Sequence, residues 1–463
     1  MNNNGFGFSF GFGPSGDDDN DRNNGFGNFS GGLGDMFNQL GAMLSGLGSS
    51  MNSPEGQGAV NYELAERIAH QQISSNGVTK EVSDKQRQAV EESVRLAELW
   101  LDDATYLPAS GNKVEAWNAS SWLKNTLPMW QRMITPVAEH LNDARLETLP
   151  QEIRDSIGPM VSMMNQMSGM NFGMQLGHAL GDLACQALSG SDFGIQVAPA
   201  GVTALLPESV DSIAAEIGVA PQEFMVYLSA REAARQRLFR HVPWLAERLV
   251  ASVEEYAAGL EIDTSHIEEA SREFNIESTD PAEIQDAIMR LQEMDLEPRI
   301  SSRNASATSR LETLLALIEG WVDFVVTEAM SERVPSTLRM NEAWRNRRST
   351  GGSAEKAFAS VVGIEFGAPK VGQAHELWRR VTNAVGESRR DQIWDHPDFL
   401  PMAEHLDNSA DFIDSLLDEA DSADFDPIAE ITALEEMLSK EAQEGSDSKD
   451  SEHKRPEDDE EKE

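Results

Sequence analysis

Apolar positions step by three and four residues through most of the middle of this chain. Val94, Ala97, Leu101 and Ala104 fall on one face around Trp100, and Leu311, Leu314, Leu315, Ile318, Val322, Val325 and Ala329 do the same over a longer stretch. That spacing belongs to helices with one buried face. Phe224, Tyr227, Leu228, Arg231, Ala234, Arg235 and Leu238 predict a further helix from about Pro221 to Arg240. Leu127-Pro128 interrupts another helical stretch. Strand-like alternation is scarce, with Val361 to Phe366 the best run, and no period of 20 to 50 residues supports a solenoid. The pattern predicts a mainly α-helical core.

Both ends depart from that pattern. Residues 1–56 are built from Phe-Gly steps such as Gly5-Phe6-Gly7-Phe8 around the acidic run Asp17-Asp18-Asp19, and the ordering cost of so many glycines predicts disorder. Met36 to Leu47 has spaced apolar residues that suit a short helix. Residues 441–463 form an acidic, lysine-dotted tail without apolar periodicity, which reads as a disordered, solubilising segment. The folded part is therefore expected over 57–440.

Residues 159–188 combine two signals. Met160, Met163, Met164, Met167, Met170 and Met174 crowd the first half, while Gly173, Gly177 and Gly181 recur every fourth residue. Glycine at that spacing gives a helix face that another helix can approach closely. Asn165, Gln166, Asn171, Gln175, His178 and Asp182 break any run long enough to span a bilayer. A buried helix is expected, and no transmembrane segment.

Charge narrows the class of partner. With 37 basic against 79 acidic residues, the net charge is -42, which argues against nucleic acid and anionic membrane. A single cysteine, Cys185, rules out an intrachain disulfide or a thiolate cluster and fits a reducing cytoplasm. The start lacks a basic n-region, so no secretory signal is expected.

The candidate chemistry lies at Arg231-Glu232-Ala233-Ala234-Arg235. A zinc-protease helix reads H-E-x-x-H, with two imidazoles on the metal and the glutamate activating water. Here Glu232 stands at the glutamate offset, but arginine fills both imidazole positions, and a guanidinium has no lone pair for a cation. Two arginines within an apolar stripe need carboxylate partners. Glu319 and Asp323, four apart on one helix face, suit that role, although Glu319 could also serve as a carboxylate metal ligand. His241, ten residues after Arg231, has the offset of a third metzincin ligand, but Leu238 replaces the expected glycine, so His241 reads as a helix-end residue. Arg345, Arg347 and Arg348 before Gly351-Gly352 could hold an anion or pair with local carboxylates. His396, Asp398 and His405 near Asp391 could form a small polar site. No P-loop, G-x-G-x-x-G, G-x-S-x-G or C-x-x-C is found.

These stretches resemble one family. Arg231 to Arg235 continuing through Arg237-Leu238-Phe239-Arg240-His241-Val242-Pro243-Trp244-Leu245, then Leu317 to Asp323, Gly351 to Glu355, Trp394 to Asp398 and the Phe-Gly-rich start are similar to the zincin-like metallohydrolases. That family was first catalogued as a domain of unknown function, and one branch is linked to deazaflavin-coenzyme biosynthesis. The resemblance covers about residues 60 to 410 and implies a zincin-like helical core. It also implies a metalloprotease-like hydrolase with Glu232 as water-activating base, Glu319 as carboxylate ligand, and imidazoles where Arg231 and Arg235 stand. Zinc enters only through that resemblance, and no cofactor is otherwise expected. Two functions follow: a weak or inactive hydrolase whose residual ligands would be Glu319 and His241, or a pseudoenzyme acting as a helical binding or scaffold protein for an unidentified protein or peptide.

Overall fold

The computed structural model describes residues 58–77, 80–111, 113–147, 158–192, 194–263, 299–350 and 370–423. The two terminal segments, Met36 to Leu47, the candidate strand Val361 to Phe366 and the stretch Gly351 to Glu355 lie outside them.

In chain order the described residues form α1 (Tyr62–Ser75), α2 (Asp84–Leu101), β1 (Lys113–Ala116), α3 (Ala119–Glu147) and α4 (Gly158–Gln186). Then come β2 (Val202–Leu205), α5 (Pro207–Ile217), α6 (Pro221–His241), α7 (Leu245–Ala257), β3 (Leu260–Asp263) and β4 (Arg299–Ser302). The last group is α8 (Ala305–Met330), α9 (Thr337–Thr350), α10 (Val371–Gln392), α11 (Ala403–Asp407) and α12 (Ala410–Ala423). The protein is mainly helical. No described helix is long and apolar enough to cross a membrane.

Helix ends follow local chemistry. Ser83 and Gln86 form a reciprocal capping box at the start of α2, satisfying otherwise orphaned N–H groups. Pro207 opens α5, where its missing N–H has no cost, and Gly218 closes it at φ 67°, a conformation that favours glycine.

Two helices run through the centre. α6 is buried without interruption from Tyr227 to Phe239, and α8 from Thr313 to Val326. A helix buried all round must be enclosed by others. α2 and α5 pack on α6, α10 packs on α8, and α6 and α8 lie against each other. The contact between α8 and α10 is very close at Gly320, where a Cβ would lie 2.4 Å from the Ala374 Cβ.

The expected break at Leu127-Pro128 does not occur: α3 runs through both Pro128 and Pro136. Each proline removes one helical hydrogen bond. Burial of Trp122, Leu123, Trp130, Ile134, Val137 and Leu141 outweighs that loss. Side chains also bond back to helix carbonyls, with Thr126 Oγ1 donating to the Trp122 oxygen at 2.9 Å and Thr135 Oγ1 to that of Gln131 at 2.7 Å.

α4 is buried most fully in its second half, where Leu176, Leu180, Leu183 and Ala184 join the core. Its glycines lie on α1: a Cβ on Gly173 would come within 2.5 Å of the Asn61 oxygen, and one on Gly177 within 2.7 Å of the Ala65 oxygen. Met163, Met164, Met167 and Met174, by contrast, are exposed. A buried helix with its glycines against another helix was expected; the glycines do face α1, but these methionines are left uncovered.

Two short ribbons complete the fold. β1 and β2 are parallel, with Lys113 opposite Val202 and Ala116 opposite Leu205, while β3 and β4 are antiparallel. Four-residue strands are too short for alternation to be legible in a sequence. The loop before β2 rejoins it through Gly190 N–H donating to the Ala204 oxygen at 2.9 Å. That anchoring holds residues 188–192 over α6.

Candidate functional site

The meeting of α6 and α8 holds a cluster of charges away from water. α6 contributes Arg231, Glu232 and Arg235, and α8 contributes Glu319 and Asp323. Arg231 Nη1 lies 2.8 Å from Asp323 Oδ1, and its Nη2 lies 3.1 Å from Glu319 Oε2. Arg235 Nε donates to Glu319 Oε1 at 2.7 Å and its Nη1 to Glu232 Oε2 at 3.2 Å. All five side chains are at most 5 % exposed. The two arginines are one helical turn apart, as are the two α8 carboxylates, so facing turns match charge to charge.

Two further residues close the cluster. Arg348 of α9 brings Nη1 to 2.9 Å from Glu319 Oε2. His375 of α10 places Nδ1 at 2.9 Å from Asp323 Oδ2. The Arg231 guanidinium also lies over the Trp344 ring, 4.6 Å from its centroid, and near the Tyr227 ring. Planar, weakly hydrated guanidinium is suited to such stacking.

Glu232 is held by the loop before β2. Its Oε2 accepts from Ser189 Oγ at 2.8 Å and from the Ser191 N–H at 3.2 Å, and its Oε1 accepts from Gln236 Nε2 at 3.1 Å. The sequence pattern placed Glu232 to one side of the apolar face, but this loop buries it fully. Burial pushes the Glu232 carboxyl above the usual carboxylate range, against the pull of Arg235, Ser189, Gln236 and Ser191. Burial would also raise Glu319, but Arg235, Arg348 and Arg231 outweigh it and hold that carboxyl at about 2. Asp323 is likewise held far below its ordinary value: burial is outweighed by His375 and Arg231.

Of the residues singled out in the sequence, Arg231, Glu232, Arg235, Glu319, Asp323 and Arg348 meet here. His241 does not: it is the last residue of α6, six positions beyond Arg235, and exposed. Arg347 turns to the carboxylate of Asp192 at 3.2 Å, while Arg345 is exposed. Asp391 does not join His396, Asp398 and His405. It is buried, pairs with Arg390 at 2.8 Å, and accepts from Thr105 Oγ1 and from Trp321 Nε1. His396 and His405 instead accept backbone N–H groups of Asp398 and Met402 at the starts of short helical turns.

Sequence reasoning singled out Arg348 without naming its partner, and missed His375 and the buried Arg237. The only hint for Arg348 was its place in a basic cluster, and nothing in its spacing pointed to Glu319. Arg237 ties α6 to α2 through Glu98 Oε2 and Asp102 Oδ1, both at 2.7 Å.

The donor set does not suit zinc. The two positions a turn apart on α6 offer N–H donors rather than lone pairs. Both oxygens of Glu319, both of Asp323 and both of Glu232 already face cationic or N–H and O–H donors. A divalent cation would also meet three guanidiniums. Among the described residues no group of three or more His, Cys, Asp or Glu side chains is arranged to hold a metal ion. A cleft of about 770 Å³ lies between α7, the start of α8 and residues 397–404, and none of the cluster residues lines it.

The family profile of the zincin-like metallopeptidases matches residues 60–413. The chain belongs to that family. No curated protein matches it. Among solved structures, one from Chloroflexus aurantiacus, described as a candidate hydrolase with a novel fold, has a TM-score of 0.54 and 16% identity. The match covers 77% of this chain and 98% of that one, and shows a shared fold. Both α6 and α8 lie within the matched residues.

Proposed function

We propose that this zincin-like protein is a pseudoenzyme: a non-catalytic helical binding or scaffold protein whose metal centre has been replaced by a guanidinium–carboxylate cluster. The observation that carries this reading is the pairing of Arg231 and Arg235 with Glu319, at 3.1 and 2.7 Å. One carboxylate that would be a metal ligand by family resemblance is instead neutralised by the residues standing where the imidazoles would be. The folded domain, taken as 57–440, keeps the architecture while its central charges serve cohesion.

Residual hydrolysis would need Glu232 to take a proton from a water. Its oxygens are engaged by Ser189, Ser191, Arg235 and Gln236, and the side chain is fully buried. A general base must reach the proton it removes. The single cysteine suits a reducing, cytoplasmic setting, and the partner is an unidentified protein or peptide.

A peptidase assay tests this reading. The full chain, supplied with zinc, is incubated with fluorogenic peptides and denatured casein beside its Glu232→Gln variant. Equal, background-level cleavage by both is expected. Zinc-dependent turnover that disappears in Glu232→Gln would overturn the proposal and restore the hydrolase.

A further inference from the structure

Helix α4 has an apolar face that nothing among the described residues covers. Met163 and Met167 are 63% and 62% exposed, and Met164 and Met174 are 42% and 41% exposed. Met170 lies on the same run, half-buried. A quarter of the chain is charged, yet no Asp, Glu, Lys or Arg occurs from Gly158 to Gly181. A contiguous exposed apolar patch marks an interaction surface, and methionines shape themselves to what they meet. The glycine face on α1 fixes the helix, so the methionine face is presented on a rigid support. A charged partner would find no counter-charge here; the occupant must be apolar and nearly uncharged.

The chain itself contains such a segment. Met36, Phe37, Leu40, Met43, Leu44 and Leu47 are spaced 1, 3, 3, 1 and 3, which places them on one face of a helix. Asp35 is the only charged residue from Leu33 to Asn52. Met36 to Leu47 as a helix spans ~16 Å at 1.5 Å per residue, and Met163 to Met174 spans the same ~16 Å.

The point of attachment favours this occupant. The described chain begins against α4 itself: the Gly58 oxygen lies 2.6 Å from where a Gly169 Cβ would be, and Asn61 N–H donates to the Gly169 oxygen at 2.9 Å. Residues 48–57 between segment and contact can extend to ~33 Å, enough to round a helix ~10–12 Å across. A tether of so few residues gives an effective concentration of about a millimolar. A second copy of the chain would bring together two bodies each of net charge -42, whereas the tethered segment brings almost none.

We propose that Met36–Leu47 docks as an amphipathic helix on the Met163, Met164, Met167, Met170 and Met174 face of α4. The segment is then the occupant of this charge-free stretch of α4. This inference is independent of whether the central cluster is catalytic.

Methionine oxidation reads the docking directly. The full chain and its Leu40→Asp/Leu44→Asp variant are treated with dilute peroxide, and sulfoxide formation is followed by peptide mass spectrometry. Met402, 64% exposed and distant in the sequence, is the internal reference. At a millimolar effective concentration, a contact of ~0.1 mM affinity leaves the face open about a tenth of the time. Met163 and Met167 are therefore expected to oxidise about tenfold more slowly, relative to Met402, in the native chain than in the variant. The protection should not change with protein concentration. Equal rates in the two proteins would overturn the proposal. Protection that grows with concentration, with a dimer in sedimentation, would also overturn it and make a second copy the occupant.

Discussion

Arg235 Nε lies 2.7 Å from Glu319 Oε1, both side chains within the centre of the protein and 1% exposed. One arginine on α6 and one carboxylate on α8 thereby join the two most buried helices. Arg231 and Arg348 reach the other oxygen of the same carboxylate. Glu319 is thus the hub of three cations, and the cluster depends on it more than on any single arginine.

Glu319→Ala is expected to destabilise the fold strongly. Removing one partner of a buried pair leaves uncompensated charge, at a cost of about 3 to 5 kcal/mol. Urea denaturation of native and variant protein measures it. A loss below ~1 kcal/mol, the scale of an exposed pair, would show that the guanidiniums find water or other partners.

Acid should weaken the protein through the same residue. The Glu319 carboxyl is held at about 2 in the fold, against 4.5 ordinarily. A depressed folded value adds stability that is complete above the unfolded value and is lost as pH falls from about 4.5 towards 2. A shift of that size corresponds to about 3 kcal/mol. Asp323 acts in the same direction. Glu232, raised in the fold, has the opposite sign: its contribution declines as pH rises above 4.5. Melting temperatures from pH 6 to pH 2 should fall steeply below about 4.5 in the native protein and less steeply in Glu319→Gln. Parallel curves would remove Glu319 from the acid response.

The helical core was largely legible because its signal is local. Three- and four-residue apolar steps located α6 to within one residue of its observed ends and marked α8 from Leu311 to Ala329. The charges within those stripes pointed to paired carboxylates because buried guanidiniums require them. The partner of Arg348 and the role of His375 were not legible, because α9 and α10 reach the cluster through tertiary packing that no spacing encodes. The short ribbons β1–β2 and β3–β4 gave too few residues to alternate. Pro128 misled because proline's local cost is outweighed by the buried tryptophans on both sides of it, Trp122 and Trp130.

Gly177→Leu should destabilise the α1–α4 pair. A Cβ added at Gly177 would lie 2.7 Å from the Ala65 oxygen and 2.8 Å from the Ile68 Cβ, so a larger side chain forces the helices apart. Overpacking of this kind costs about 1 to 3 kcal/mol. Thermal denaturation reads the loss; an unchanged midpoint would mean that α1 can shift without penalty.

Arg231→His/Arg235→His should recover a metal site. The double change removes two of the cations on Glu319 and puts two imidazoles one turn apart beside that carboxylate, the ligand types of a two-histidine, one-glutamate zinc centre. Zinc should raise the melting temperature of this variant and leave that of the native protein unchanged, since a ligand that binds only the folded state stabilises it. No zinc-dependent shift in the variant would mean that α6 and α8 lie too far out of register for shared coordination.

The most direct measurement is the zinc content of the native, full-length chain after zinc loading and gel filtration, by inductively coupled plasma mass spectrometry. With Arg231 and Arg235 on Glu319, the expected content is far below one zinc per chain and unchanged in Glu232→Gln. One tightly held zinc per chain, lost on replacing Glu319, would contradict the replacement of the metal centre by guanidinium.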